Sequence, residues 1–158
     1  SYVRTEFRWI EFEPAYGIWN DNTTAFFNWY VDQIHSRGLE IIGILFGAPE
    51  WALVLYEYLP LNFMEAFKNY TAKIAQLYGD KVRYYQIWNE ANVPFVPTKG
   101  GCPIADVYDP LLYEYGRQGI EIYDTDFVTI ANLGDGGPND ILTNSTAKLI
   151  DYLNRGAG

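Results

Sequence analysis

A chain of 158 residues holds one ordinary domain and is too short for two well-packed ones. Hydrophobic residues make up 49% of it and aromatics 18%, the composition of a packed core rather than of a disordered segment. With 11 basic against 20 acidic residues the net charge is -9, which repels phosphate backbones and anionic lipid and argues against nucleic-acid and membrane partners. No apolar run is long enough to span a bilayer. The single cysteine, Cys102, and the single histidine, His35, leave no material for a disulfide, a cysteine-rich zinc site or a histidine-based triad. With no metal or organic cofactor indicated, chemistry falls to carboxylates, amides and aromatics.

In chain order, strand and helix alternate. Tyr2 to Phe7 is a β-branched and aromatic run that reads as strand. Ser1 precedes it directly, with neither Met nor signal peptide, which fits a leader already removed or a sequence that starts inside a domain. A turn-rich stretch then ends in the cap-forming cluster Asn20-Asp21-Asn22-Thr23-Thr24. Behind it Phe26, Phe27, Tyr30, Val31 and Ile34 recur at helical spacing, with Gly38 placed to stop the helix. Glu40 to Phe46 is almost uniformly apolar, as a strand covered on both faces should be.

The cycle repeats. Asn62 with Glu65 three residues on predicts a capping box, followed by a helix marked by Phe63, Phe67, Tyr70, Ile74 and Leu77 and closed by Gly79-Asp80. Val82 to Trp88 reads as strand, Asn92 to Tyr108 as a Pro- and Gly-rich loop. Asp109-Pro110 then starts a helix through Leu111, Leu112, Tyr115 and Ile122. Phe127 to Asn132 reads as a last strand, Gly134 to Pro138 as a loop and Asp140 to Leu153 as a last helix.

The strand ends fall near Arg4, Gly47, Glu90 and Leu133, a repeat of about 43 residues. Alternating strands and helices imply parallel βαβ units with right-handed crossovers. An open doubly wound sheet would carry a Gly-rich phosphate loop after its first strand, and neither GxGxxG nor GxxxxGK[ST] occurs. Units of this size suit a TIM (β/α)8 barrel, which takes eight of them and roughly 250 residues. The expected fold is therefore α/β: a partial TIM barrel of about four parallel βα units over residues 1–158, with helices on one face of the sheet. Ile42, Ile44, Tyr85 and Ile87 are candidates, depending on register, for the layer that would fill the barrel interior.

In such folds functional side chains stand just beyond the carboxyl ends of strands. Those positions hold Glu6, Arg8, Trp9, Glu11 and Glu13 after the first strand and Ala48-Pro49-Glu50-Trp51-Ala52 after the second. Trp88-Asn89-Glu90-Ala91-Asn92 follows the third, and Asn132-Leu133-Gly134-Asp135 the fourth. Aromatics beside carboxylates and amides suit a sugar, whose C–H face stacks on rings while its hydroxyls take hydrogen bonds. Trp51 and Trp88 are the candidate platforms, set against the ordinary fate of a tryptophan, which is the core.

The string Tyr84-Tyr85-Gln86-Ile87-Trp88-Asn89-Glu90-Ala91-Asn92 resembles the WNEPN signature on the fourth strand of clan A retaining (β/α)8 glycoside hydrolases. Val3-Arg4, Trp9 and Ile10-Glu11 are similar to that clan's second strand and Ala48 to Ala52 to its third-strand exit; the xylosidase- and cellulase-like families lie nearest. The resemblance runs from Tyr2 to about Leu133 and places the chain at strands two to five, without the first strand or strands six to eight. It implies that Glu90 is the general acid/base, that Asn89 is the amide bonded to the sugar 2-hydroxyl, and that Arg4 supports the nucleophile. Two departures stand out. Ala91 replaces the usual proline, and the strand-seven glutamate nucleophile has no counterpart here. Glu6, Glu11 and Glu50 are substitutes by position only.

Two function classes follow. One is a glycoside hydrolase, acting on β-linked oligo- or polysaccharide with retention, of which this chain carries the acid/base half; alone it would be inactive. The other is a non-catalytic half-barrel that binds carbohydrate or self-assembles. The partners expected are a carbohydrate and the remainder of the barrel or a second copy. Three N-x-[ST] acceptors, at Asn22, Asn69 and Asn144, matter only in a secreted eukaryotic protein. Location is left open, with an extracellular setting favoured over a cytoplasmic one.

Overall fold

A computed structural model of the protein describes residues 1–89 and 110–130. The Asn92 to Tyr108 loop, the Gly134 to Pro138 loop, the Asp140 to Leu153 helix, Cys102 and Asn144 lie outside the described residues. Four strands, β1 (Tyr2–Arg8), β2 (Glu40–Phe46), β3 (Tyr84–Ile87) and β4 (Val128–Ile130), form one sheet in the order β1-β2-β3-β4. Every neighbouring pair is parallel. The chain thus forms a partial α/β barrel of sequential βα units.

The helices between them follow local signals in most places. The short α1 (Trp9–Phe12) leaves β1 directly. Asn20 caps α2 (Asp21–His35), its side chain accepting from the backbone N–H of Asn22 and Thr23, and Gly38 beyond it takes φ +68°. Proline at the first helical position starts α5 (Pro110–Glu121), as the Asp109-Pro110 pair predicts.

Two helices depart from expectation. The strand exit at Ala48 to Ala52, for which no helix was expected, winds into α3 (Glu50–Tyr58) behind Pro49. The long α4 (Pro60–Tyr78) begins two residues ahead of the expected Asn62/Glu65 box. Leu59 is its cap residue, and its carbonyl accepts from the N–H of Asn62 and Phe63. Pro60, pre-set for helix and needing no donor there, decides the start.

Strand alternation divides the side chains between two faces. Phe7, Leu45 and Ile87 lie in register, fully buried. The Phe7 ring sits 5.1 Å from Phe27 of α2 and 5.2 Å from Tyr78 of α4, so this is the helix-bearing face. Gly43 makes room for it: a Cβ there would come 2.8 Å from the Phe7 ring. The glycines of α5 serve the same end, since a Cβ at Gly116 would press on Phe67 and Ile87, and one at Gly119 would overlap Thr71 and the Lys68 carbonyl. Tyr85 shares the helix face, in register with Gly43, and is fully buried. That corrects part of the expected barrel-filling layer: Tyr85 and Ile87 face the helices. The opposite face carries Arg4, Ile42 and Tyr84 in one row and Glu6, Ile44 and Gln86 in the next. No helix among the described residues is long and apolar enough to cross a membrane.

Candidate functional site

On the face turned away from the helices, β1 and β3 are joined by a hydrogen-bond network. Arg4 stands in the middle of β1, not at its end, and Arg8 closes the strand. Its guanidinium nevertheless reaches up the sheet: Nε and Nη2 donate to Gln86 Oε1 at 3.3 and 3.1 Å, and Nη2 donates to Asn89 Oδ1 at 2.7 Å. A charged donor on an amide carbonyl gives the stronger class of neutral-acceptor bond. Gln86, 2% exposed, turns its other end to the backbone, with Nε2 donating to the Trp88 carbonyl at 2.7 Å and lying 3.4 Å from Asn89 Oδ1.

Between Gln86 and Asn89 the strand turns sharply. Trp88 has φ +65°, the only non-glycine residue with positive φ among those described. Simple alternation would send its ring to the side of Gln86. Instead the indole is 2% exposed and packs edge-on against Phe67 of α4 at 5.8 Å, while Asn89 beyond it takes the Arg4 side. Of the two candidate sugar platforms, Trp88 is thus enclosed in the core.

Trp51 belongs to a different neighbourhood. It sits in the first turn of α3, its indole N–H donating to the Glu13 carbonyl at 3.0 Å and its ring edge-on to Trp9 and Tyr16. With Tyr16, Leu55, Asn62, Glu65 and Ala66 it lines a pocket of about 480 Å³ that includes neither Arg4 nor Asn89. The Glu13 carboxylate is engaged by the Trp9 indole at 2.8 Å and the Gly17 N–H at 2.9 Å, bonds that bracket Tyr16 of the pocket lining.

The structure therefore brings together Arg4 and Asn89, and leaves Trp51 and Trp88 apart from them. Glu90 lies outside the described residues, next in sequence to Asn89. Among the substitute carboxylates, Glu6 lies exposed in the same row as Gln86, Glu11 pairs with Arg8 at 3.2 Å, and Glu50 opens α3. Gln86 was not singled out by the sequence reading. Its signal was there: a polar side chain inside the apolar run Tyr84-Tyr85-Gln86-Ile87 has to find partners when buried.

No protein-family model matches the chain, and no curated protein matches it in sequence. Solved structures do. The lactosyl-enzyme intermediate of endo-glycoceramidase II from a Rhodococcus species superimposes with TM-score 0.58 at 15% identity, covering 82% of this chain and 40% of its own. The AHE enzyme from Alicyclobacillus herbarius gives 0.68 at 15% identity, over 94% of this chain and 38% of its own. The exo-beta-1,4-mannosidase Op5Man5 from Opitutaceae bacterium strain TAV5 gives 0.64 at 18% identity, over 84% and 25%. The chain has the fold of part of a glycoside-hydrolase barrel. It spans well under half the length of each of these three.

Proposed function

We propose that this chain carries the acid/base half of a retaining β-glycosidase. The observation that supports the reading best is the 2.7 Å bond between Arg4 and Asn89, 85 residues apart in sequence. The two residues that resemble the clan's second- and fourth-strand positions meet on the face of the partial barrel turned away from the described helices. A structural neighbour described as a lactosyl-enzyme intermediate belongs with the same reading, because a covalent glycosyl-enzyme is the hallmark of retention.

On this reading Glu90, following Asn89, protonates the departing glycosidic oxygen and then takes a proton from the water that releases the sugar. Asn89 bonds the 2-hydroxyl, an interaction that strengthens as the anomeric carbon gains positive charge. The nucleophile is a second carboxylate, set about 5–5.5 Å from the acid and supplied by the remainder of the barrel. The substrate is a β-linked carbohydrate, and the chain's other partner is the rest of the barrel or a second copy paired at the β1 or β4 edge.

The test uses the chain within an intact barrel and an aryl β-glycoside whose leaving group needs no protonation. Glu90→Ala is expected to stall at the glycosyl-enzyme and, with added azide, to release a glycosyl azide of retained β-configuration. Unaltered turnover in Glu90→Ala, or an inverted azide product, would overturn the assignment. A non-catalytic carbohydrate-binding half-barrel would give no turnover in the parent protein at all.

A further inference from the structure

We infer that Gln86 is a positioning residue for Asn89, acting by locking the left-handed turn at Trp88. Arginine only donates hydrogen bonds and a backbone carbonyl only accepts them. Gln86 stands between the Arg4 guanidinium, 3.1 Å from its Oε1, and the Trp88 carbonyl, 2.7 Å from its Nε2. A side chain that bridges the two must end in an acceptor and a donor together, which glutamine has and an ionised glutamate lacks, while methionine offers no donor and only a weak acceptor.

The turn it locks needs holding. A tryptophan at φ +65° is in a conformation that L side chains rarely adopt. Its N–H is fixed by the Leu45 carbonyl at 2.8 Å, and its carbonyl is fixed by Gln86. With both backbone groups of Trp88 tied, Asn89 emerges on the Arg4 side with its carbonyl oxygen facing Arg4 at 2.7 Å and Gln86 at 3.4 Å. The carbonyl end of the Asn89 amide is occupied, so the NH2 end is the one turned to a ligand. Gln86 thereby decides that Asn89 acts as a donor, toward a hydroxyl oxygen. The geometric part of this inference stands alone; its consequence for sugar binding rests on the function proposed above.

The experiment follows the Asn89 side-chain NH2 resonances by NMR in the full chain, comparing the parent with Gln86→Glu and Gln86→Met across the acid range, with and without cellobiose. In Gln86→Glu at neutral pH the Trp88 carbonyl faces a carboxylate that cannot donate, so the Asn89 signals move. On acidification the carboxyl regains a proton and a donor, and they return toward their parent positions. In Gln86→Met they are displaced at every pH. Cellobiose affinity is expected to fall about tenfold in Gln86→Glu at neutral pH and to recover with the signals. Asn89 resonances that coincide with the parent's in both folded variants would overturn the inference, as would failure of both variants to fold, which would make Gln86 a core-building residue. If the parent binds no cellobiose while Gln86→Glu still moves Asn89 reversibly with pH, the sugar reading falls and the positioning role stands. If cellobiose binds and Asn89 is unmoved, the reverse holds.

Discussion

Phe7, Leu45 and Ile87 lie side by side on three strands and are sealed under α2, α4 and α5; one residue away along the same strands, Glu6, Ile44 and Gln86 form a row facing the other way. The first row is held by rings and methyl groups in bulk, the second by Arg4, Gln86 and Asn89 through directed bonds. Burial of apolar area dominates folding energy, whereas a hydrogen bond nets only about 1 kcal/mol once water is counted. The contrast teaches where to expect stability and where to expect function. Substitutions on the helix side should cost folding; those on the other side should cost recognition while sparing the fold.

The harshest way to break the helix side is Phe7→Ala. It leaves a void among Phe12, Phe27 and Tyr78, and removes about 3–5 kcal/mol, a large share of an ordinary domain's stability. Urea unfolding followed by circular dichroism measures it. Gly119→Ala attacks the same side by overfilling: its Cβ meets Thr71 and the Lys68 carbonyl of α4, at a cost of about 1–3 kcal/mol in the same assay.

Alkali should find the helix side as well. Burial raises the phenols of Tyr70, Tyr78 and Tyr85 above their ordinary 10.0. The unfolded chain sheds these protons above about pH 10 while the folded chain keeps them. Stability from these groups is therefore complete well below pH 10 and is lost progressively above it, visible as a urea midpoint that falls between about pH 10 and 11 and falls less steeply in Tyr85→Phe, which removes one of the three phenols.

The other side of the comparison is sharpened by Arg4→Ala. Its bonds to Gln86 and Asn89 are made by a side chain that is itself exposed, so the urea midpoint should shift by no more than about 1 kcal/mol equivalent. Saccharide affinity should nonetheless fall tenfold or more. A large loss of stability would mean that this network belongs to the core.

Much of the helix side was legible in the sequence. The apolar run Glu40 to Phe46 is β2 to the residue, and Asp109-Pro110 marks the start of α5. α3 carries no expectation of its own because Trp51-Ala52-Leu53-Val54-Leu55 shows no polar face, so its periodicity does not mark a helix. The other side was legible in its residues and not in its geometry. Arg4 and Asn89 were named from motif resemblance, yet Arg4 was placed at a strand end. The reach of the arginine side chain, which carries it from mid-strand to Asn89, leaves no mark in a linear pattern. The turn at Trp88 is equally silent, since nothing local asks a tryptophan for positive φ.

The proposal at the centre of this account is that carbohydrate docks on the face turned away from the described helices, at Arg4 and Asn89. An NMR titration of the chain with cellobiose tests it most directly, reading the Arg4 Nε–H, the Asn89 NH2 and the Trp51 indole N–H in one experiment. The account predicts saturable shifts at Arg4 and Asn89, with the Arg4 shift lost in Asn89→Ala. Saturable shifts at Trp51 with Arg4 and Asn89 unmoved would contradict it.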